Sequence, residues 1–219
     1  MSTIILSCTT LLECVDHAQR KCGTAFPVIE LDRKYHSDPA KMREHIISTL
    51  SRLPDGTDTV LAAMGFCGGS WQNVACPVRL VIPRVADCVA LALTTVERYS
   101  PDLKEAGHMY LFGEGRTGFS IRAIYDSLLE QYDRDTADII FGMYFENYRN
   151  VDIIDNGLYD CYSPDYVERA QAEADSINAE LNFVPGSNVL LEALVSGQWD
   201  ARFLVVPPGT GMTQGLFYD

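Results

Sequence analysis

The sequence predicts an α/β protein with parallel sheets and helices on both faces, arranged as one sheet or as two similar Rossmann-like lobes. Short apolar runs rich in β-branched residues alternate with helical patterns along the chain. The runs at 60–64 and 78–82 are bounded by glycine or proline, which is typical of strands buried on both faces of a parallel sheet. A linker at Ser100-Pro101-Asp102 predicts two lobes, an N-terminal one at 1–102 and a C-terminal one at 103–219.

Strand and helix patterns alternate in the first lobe. The predicted elements are a strand at 4–7, a helix at 11–21, a strand at 26–31, a helix at 39–53, strands at 60–64 and 78–82, and a helix from Asp87 to about Tyr99. The helix at 39–53 has the clearest beginning, because Asp38 can cap it and Pro39 suits its first position.

The second lobe shows the same alternation without a sequence repeat of the first. The predicted elements are a strand at 109–112, helices at 120–132 and 136–148, a strand at 151–154, a helix opened by Ser163-Pro164, a strand at 181–184, a helix capped by Ser187 and ended by Gly197, and a strand at 203–206. This order favours parallel strands joined by helices.

The composition is that of an ordinary globular protein and argues against several partners. The chain has 219 residues, of which 47% are hydrophobic and 21% are charged. Its formal net charge of −13 opposes binding to nucleic acid and to anionic membrane surfaces. No apolar run approaches the ~20 residues that span a bilayer. Seven cysteines without an export signal favour reduced thiols and a cytoplasmic location.

Three cysteines stand where the ends of predicted strands meet. Cys8 follows the first strand, Cys67 follows the strand at 60–64, and Cys88 lies just beyond the strand at 78–82. Ligands of open α/β sheets bind outside the carboxyl ends of the strands, so we expect the three thiols to gather at one edge. This convergence is the main functional signal in the sequence.

Converging thiols predict a metal site. Thiolates are soft ligands that suit zinc or an iron–sulfur cluster, so we expect Cys8, Cys67 and Cys88 to hold one of these. Three protein ligands would leave one metal position open to a substrate, as in catalytic sites. Cys76 is a candidate fourth ligand, although the chain has no C-x-x-C pair.

Four residues near the cysteines are candidates for binding a substrate. Gly68 and Gly69 can offer backbone amides, and Asp87 marks a helix start whose amides could stabilise anionic sulfur. Arg84 can bind a carboxylate or phosphate through two hydrogen bonds. The predicted substrate is therefore a small anionic molecule.

An alternative interpretation assigns the cysteines to the core. Free cysteine is among the most buried residue types and packs as a small hydrophobe. Cys14 and Cys22 fall on a predicted helix and Cys161 lies in a turn, which favours structural roles. The four histidines are scattered and form no recognisable catalytic order, so each is interpreted as a surface or packing residue.

A glycine-rich segment in the second lobe suggests a different function. Residues 113–118, GEGRTG, match G-x-G-x-x-G between a predicted strand and a predicted helix, which is the context of a dinucleotide-binding fingerprint. Against this, the next segment, 137–141, does not end in the acidic residue that would hold a ribose. A nucleotide-binding enzyme that uses Gly113 to Gly118 therefore stands as an alternative to a plain tight turn.

Several segments of the chain resemble a family of prokaryotic proteins catalogued as a domain of unknown function. The matching segments are Met64-Gly65-Phe66-Cys67-Gly68, Leu80-Val81-Ile82-Pro83-Arg84 with Asp87-Cys88, Ile154-Asp155-Asn156-Gly157, and Gly197-Gln198-Trp199-Asp200 leading into 203–209. Ala86 stands where the family has a histidine, which rules out a histidine ligand there. Residues 112–115 stand where the family has a Thr-Pro-Gly-Trp-like segment, which makes the dinucleotide match look accidental.

The resemblance implies a metabolic setting. Members of the family are often encoded near corrinoid-dependent methyltransferases, so it implies one-carbon or corrinoid methyl metabolism, with a corrinoid protein or a methyltransferase as partner. The first hypothesis is a metal-binding protein that acts there or on a small anionic substrate. The second is a non-catalytic accessory protein for these methyltransferases, in which the cysteines are structural.

Overall fold

The computed structural model describes the chain over three segments. These are residues 2–36, 38–113 and 120–218. The segment that matches a dinucleotide fingerprint lies outside the described residues except for Gly113.

Strands and helices alternate over the described residues. The strands are β1 (Ser2–Cys8), β2 (Val28–Leu31), β3 (Thr57–Ala63), β4 (Arg79–Pro83), β5 (His108–Leu111), β6 (Asn150–Asp155), β7 (Glu180–Pro185) and β8 (Phe203–Val206). The α-helices are α1 (Leu12–Cys22), α2 (Pro39–Leu50), α3 (Cys88–Leu93), α4 (Ile121–Gln131), α5 (Arg134–Phe145), α6 (Pro164–Ser176), α7 (Val189–Ser196) and α8 (Gly215–Tyr218). Over these ranges no helix is long and apolar enough to cross a membrane.

The strands form two mostly parallel sheets, which confirms the predicted α/β class. One sheet has five strands in the order β2-β1-β3-β4-β8, and the other has three in the order β5-β6-β7. All neighbouring strands are parallel except β4 and β8, which are antiparallel. Because β1, β3 and β4 are adjacent and parallel, their carboxyl ends lie at the same edge of the larger sheet.

The chain divides into two compact units. The first comprises Met1–Leu103 with Ser187–Asp219 and contains the larger sheet, whereas the second comprises Lys104–Gly186 and contains the smaller sheet. This division differs from the predicted lobe at 103–219. The pairing of β8 with β4 returns the last part of the chain to the first unit.

The central strands of the larger sheet are buried on both faces. Val60 and Leu61, consecutive residues of β3, are 0% and 1% exposed, and they point to opposite faces. Val60 lies in a core cluster with Met42 and Ile46 of α2. A strand covered in this way reads as a continuous apolar run, which is why its position could be predicted.

The helices of the second unit pack on one face of the smaller sheet. Val151 of β6 shares a core cluster with Ile121 of α4, Phe145 of α5 and Ala174 of α6. The residues that alternate with Val151 along the strand therefore lie on the opposite face.

The helix α3 is much shorter than predicted. The Asp87 carboxylate caps it as expected and accepts two backbone amides of the first turn at 3.0 Å each. The helix ends at Leu93, because Thr94 is extended and its carbonyl accepts a hydrogen bond from the Ser187 hydroxyl at 2.6 Å. The predicted extension to Tyr99 is therefore wrong. The local sequence could not show this, because Ser187, which bonds the end of the helix, is distant in the chain.

Candidate functional site

Three cysteines follow the ends of neighbouring strands in the larger sheet. Cys8 is the last residue of β1, Cys67 lies in a short turn after β3, and Cys88 is the first residue of α3 after β4. The three thiols lie close together, since the charge of Cys8 acts on Cys67 and the charges of Cys8 and Cys67 act on Cys88. The structure therefore brings the three predicted cysteines together at one edge of the sheet.

Backbone hydrogen bonds hold the turn after β3 against the loop after β4. The Phe66 N–H donates to the Val85 carbonyl at 2.9 Å, and the Cys67 N–H donates to the Ala86 carbonyl at 2.7 Å. Gly65 allows this approach, because a Cβ there would lie 2.6 Å from the Val85 carbonyl oxygen. Sequence reasoning missed this role, although a glycine directly after a buried strand was a usable signal.

The turn that carries Cys67 has left-handed backbone. The φ angles are 49° at Cys67, 64° at Gly68 and 96° at Gly69. Glycine adopts such angles at little cost, but a cysteine there is uncommon. Residues that their surroundings hold in such a rare backbone conformation are found most often at functional sites. The position of the Cys67 thiol is therefore imposed by the packing around it.

Burial keeps two of the thiols neutral. It is the main cause that raises the pKa of Cys67 to about 12, followed by the negative charge of Asp87 and then by Cys8. Burial likewise raises the pKa of Cys88 well above that of an ordinary thiol, and Cys67, Asp87 and Cys8 add to the shift in that order. Hydrogen bonds from the backbone amides of Gly65 and Cys88 oppose the shift at Cys67. Both thiols are protonated near pH 7 and so are weak nucleophiles.

Thiols are the type of ligand that a soft metal prefers, but these three are not arranged to coordinate one. Cys8 is 3% exposed, and its thiol donates a weak hydrogen bond to the Thr10 hydroxyl at 3.6 Å. Within residues 2–36, 38–113 and 120–218, no group of three or more His, Cys, Asp or Glu side chains is placed to hold a metal ion. Binding a metal would require the thiols to lose protons and the Cys67 turn to adjust.

Both backbone polar groups of Gly69 are bonded within the protein. The Gly69 N–H donates to the Phe66 carbonyl at 3.2 Å. The Gly69 carbonyl accepts two hydrogen bonds from the Arg43 guanidinium, at 2.7 and 3.2 Å. The cation next to the turn is therefore Arg43 of α2, a residue that sequence reasoning did not single out. Only the contact between α2 and the turn reveals its role.

Arg84, the predicted anion-binding residue, bonds elsewhere. Its Nη1 donates to the Ala201 carbonyl at 3.5 Å, and its backbone carbonyl accepts the Tyr99 hydroxyl at 2.9 Å. The buried Nε has no hydrogen-bond partner among the described residues. Arg84 is also absent from the charges that shift the pKa of Cys67 and of Cys88.

The other cysteines lie apart from this group. Cys76 is 1% exposed and sits in the core cluster that contains Trp71, and its raised pKa comes from burial, opposed by a backbone amide. Cys14 and Cys22 lie on α1, and Cys161 lies in a core cluster of the second unit. Cys76, the candidate fourth ligand, is not among the groups that shift the pKa of Cys67 or of Cys88, although Cys67 packs against the same core cluster.

The fold and the site define an α/β protein with a cluster of three cysteines, two of them buried, at the carboxyl ends of a mostly parallel sheet. The family described as "Protein of unknown function (DUF1638)" matches residues 30–195, well over half of the chain, so the chain belongs to that family. The matched range includes Cys67 and Cys88 but not Cys8. No curated protein and no solved structure matches the chain.

Proposed function

We propose that the protein holds a soft metal centre, zinc or an iron–sulfur cluster, through Cys8, Cys67 and Cys88. The observation that carries the proposal is the convergence of these thiols from three neighbouring strand ends, close enough that Cys8 raises the pKa of Cys67 and of Cys88. Such a centre would supply Lewis-acid or redox chemistry at the edge where α/β proteins bind their ligands.

A bound cation would favour the thiolate forms of the cysteines, which the surroundings otherwise disfavour. Without one, each thiolate at Cys67 or Cys88 is opposed by burial, by the other cysteines and by the Asp87 carboxylate. A divalent cation offsets both the repulsion and the loss of hydration, because coordinated thiols are deprotonated outright. The left-handed backbone of Cys67 is energetically unfavourable for a residue other than glycine. A metal centre toward which the thiol must point would explain why this conformation is kept.

The setting that we propose is corrinoid or one-carbon methyl metabolism in the cytoplasm, with a corrinoid protein or a methyltransferase as partner. Its support is the family resemblance alone, which is an association and not a contact in the structure. A small anionic substrate would find Arg43 as the cation beside the Cys67 turn. Arg84 gives no support to substrate binding, since its guanidinium contacts the Ala201 carbonyl.

A second candidate is an accessory protein whose cysteines are structural. The observation that favours it is that burial keeps Cys67 and Cys88 protonated. The described residues also contain no ready-made group of metal ligands. On this account the thiols fill space between the loops, and removal of any one affects stability but no bound ion.

Titration of the reduced protein with Zn²⁺ separates the two candidates. We expect one high-affinity site in the wild type, and its loss in Cys67→Ala and in Cys88→Ala. Cys14→Ala is the matched control, because Cys14 is also buried but lies on α1, outside the cluster. Undiminished affinity in both site variants would exclude the proposed ligands, whereas weak binding throughout favours the accessory protein.

The same titration has an expected pH dependence. Because the pKa values of Cys67 and Cys88 are raised, Zn²⁺ must displace a proton from each near neutral pH. These two thiols should therefore make the apparent affinity rise by about 100-fold per pH unit between pH 6 and 8, and the proton that the Cys8 thiol also gives up adds about a further 10-fold. An affinity that does not change with pH would show that Zn²⁺ binds somewhere other than these thiols.

A further inference from the structure

Four polar side chains of the second unit share the sheet face opposite the helices. Val151 points into the helical core, so its neighbours Asn150 and Asp152 point the other way. In the sheet register His108 of β5 lies beside Asn150, and Asn182 of β7 lies beside Asp152. The four residues therefore form a patch across all three strands.

These side chains are joined in a closed ring of hydrogen bonds. His108 Nδ1 lies 2.6 Å from Asp152 Oδ2, and His108 Nε2 lies 3.1 Å from Asn150 Nδ2. The ring closes through Asn182, whose Nδ2 donates to Asn150 Oδ1 at 3.1 Å and to Asp152 Oδ1 at 3.2 Å. Asp152 is 2% exposed, so the ring is anchored on a buried carboxylate.

The ring determines which nitrogen of His108 carries the proton. An ionised aspartate only accepts hydrogen bonds, so His108 Nδ1–H must donate to Asp152. Asn150 turns its oxygen to Asn182 and its NH₂ group to His108, so Nε2 is the acceptor. Reversing the Asn182 amide would set its oxygen against Asp152 Oδ1, two acceptors in contact, and reversing Asn150 alone would set two NH₂ groups against each other. In this hydrogen-bond network the His108 proton therefore lies on Nδ1 and the lone pair on Nε2.

We propose that His108 is a second reactive centre, a general base or nucleophile for a substrate that presents a hydroxyl or amide N–H. Asp152 is its positioning residue and orients the imidazole as the aspartate of a Ser-His-Asp triad does. The Asn150 amide occupies the place of the substrate's donor, and a substrate displaces it. The His108 side chain is 22% exposed, which leaves it accessible to small molecules.

The surroundings of His108 are consistent with this role. Glu105 Oε2 lies 3.8 Å from His108 Nε2, so a second carboxylate borders the nitrogen that carries the lone pair. Tyr110 stacks on the ring with the centroids 6.3 Å apart. This centre is independent of the thiol proposal, since no cysteine takes part in it.

Acylation by diethyl pyrocarbonate tests the reactivity of Nε2. The Nε2 lone pair attacks a carbonyl carbon of the reagent, ethyl carbonate leaves with the bond electrons, and the Nδ1 proton is lost to the leaving group or to solvent. The rate at His108 is measured by mass spectrometry relative to His17 in the same sample. We expect Asn150→Ala to raise this ratio about 2- to 10-fold, because one hydrogen bond to Nε2 is removed. Asn182→Ala, which frees the Asn150 amide, should raise it less.

The second readout is the tautomer itself, from nitrogen-15 NMR of labelled histidine in the wild type. The expected spectrum has a pyrrole-like Nδ1 and a pyridine-like Nε2 at His108. In Asp152→Asn we expect a mixture of tautomers and about 5-fold slower acylation, since a charge-assisted hydrogen bond becomes a neutral one. A protonated Nε2 in neutral wild-type His108, or an unchanged acylation ratio in folded Asn150→Ala, would overturn the proposal.

Discussion

Replacement of Gly65 by alanine should separate the two loops that position the thiols. The added methyl group would lie 2.6 Å from the Val85 carbonyl oxygen and 2.7 Å from the backbone N and Cα of Asp87. Backbone atoms cannot rotate away, so the loops must move roughly 1 Å apart to restore van der Waals contact. The hydrogen bonds donated by the Phe66 and Cys67 amides, 2.9 and 2.7 Å long, would then be lost or stretched. Two such losses with residual strain amount to about 2–4 kcal/mol of unfolding free energy.

Urea unfolding measures this cost, and Gly211→Ala provides the control. Gly211 lies in the same unit, and an added Cβ there meets nothing within 4 Å. We expect Gly211→Ala to stay within about 0.5 kcal/mol of the wild type. Cys67 in Gly65→Ala should also react faster with a thiol reagent, because separation of the loops reduces its burial. Equal midpoints for the two variants would refute the proposed close approach.

Three further predictions concern the charges around the site and one helix cap. Stability should fall above about pH 9, because the unfolded state releases the Cys67 proton while the folded state keeps it up to a pKa of about 12. The expected slope is about 1.4 kcal/mol per pH unit for this thiol, and an equally steep fall in Cys67→Ala would contradict it. Asp87→Asn should retain the cap but remove a charge that raises the pKa of Cys67, so iodoacetamide should label Cys67 at lower pH than in the wild type. Asp38→Ala should cost about 1 kcal/mol in urea unfolding, since the carboxylate caps α2 through the Lys41 amide at 3.1 Å, and a loss no larger than that of the exposed Asp55→Ala would argue against this role.

The positions of the thiols could be predicted because they depend on local patterns and one general rule. Each of Cys8, Cys67 and Cys88 follows a short apolar run, and adjacent parallel strands end at the same edge of a sheet. The cap at Asp87 followed in the same way from residue type and position.

Features that depend on distant contacts could not be predicted in the same way. Nothing next to Arg84 in sequence shows that Ala201 binds its guanidinium, or that Arg43 approaches the Cys67 turn from another helix. The end of α3 depends on Ser187 for the same reason. His108 looked isolated, because its ring partners come from strands more than 40 residues away.

The most direct test of the thiol proposal is the content of metal and acid-labile sulfide, with an absorption spectrum, in protein purified without oxygen. The proposal predicts either near-stoichiometric zinc, or iron and sulfide with the absorption of a cluster. Cys67→Ala and Cys88→Ala should each lose the metal, while Cys14→Ala keeps it. Protein without metal, with all seven thiols titrating after unfolding, would contradict the proposal and favour the accessory role.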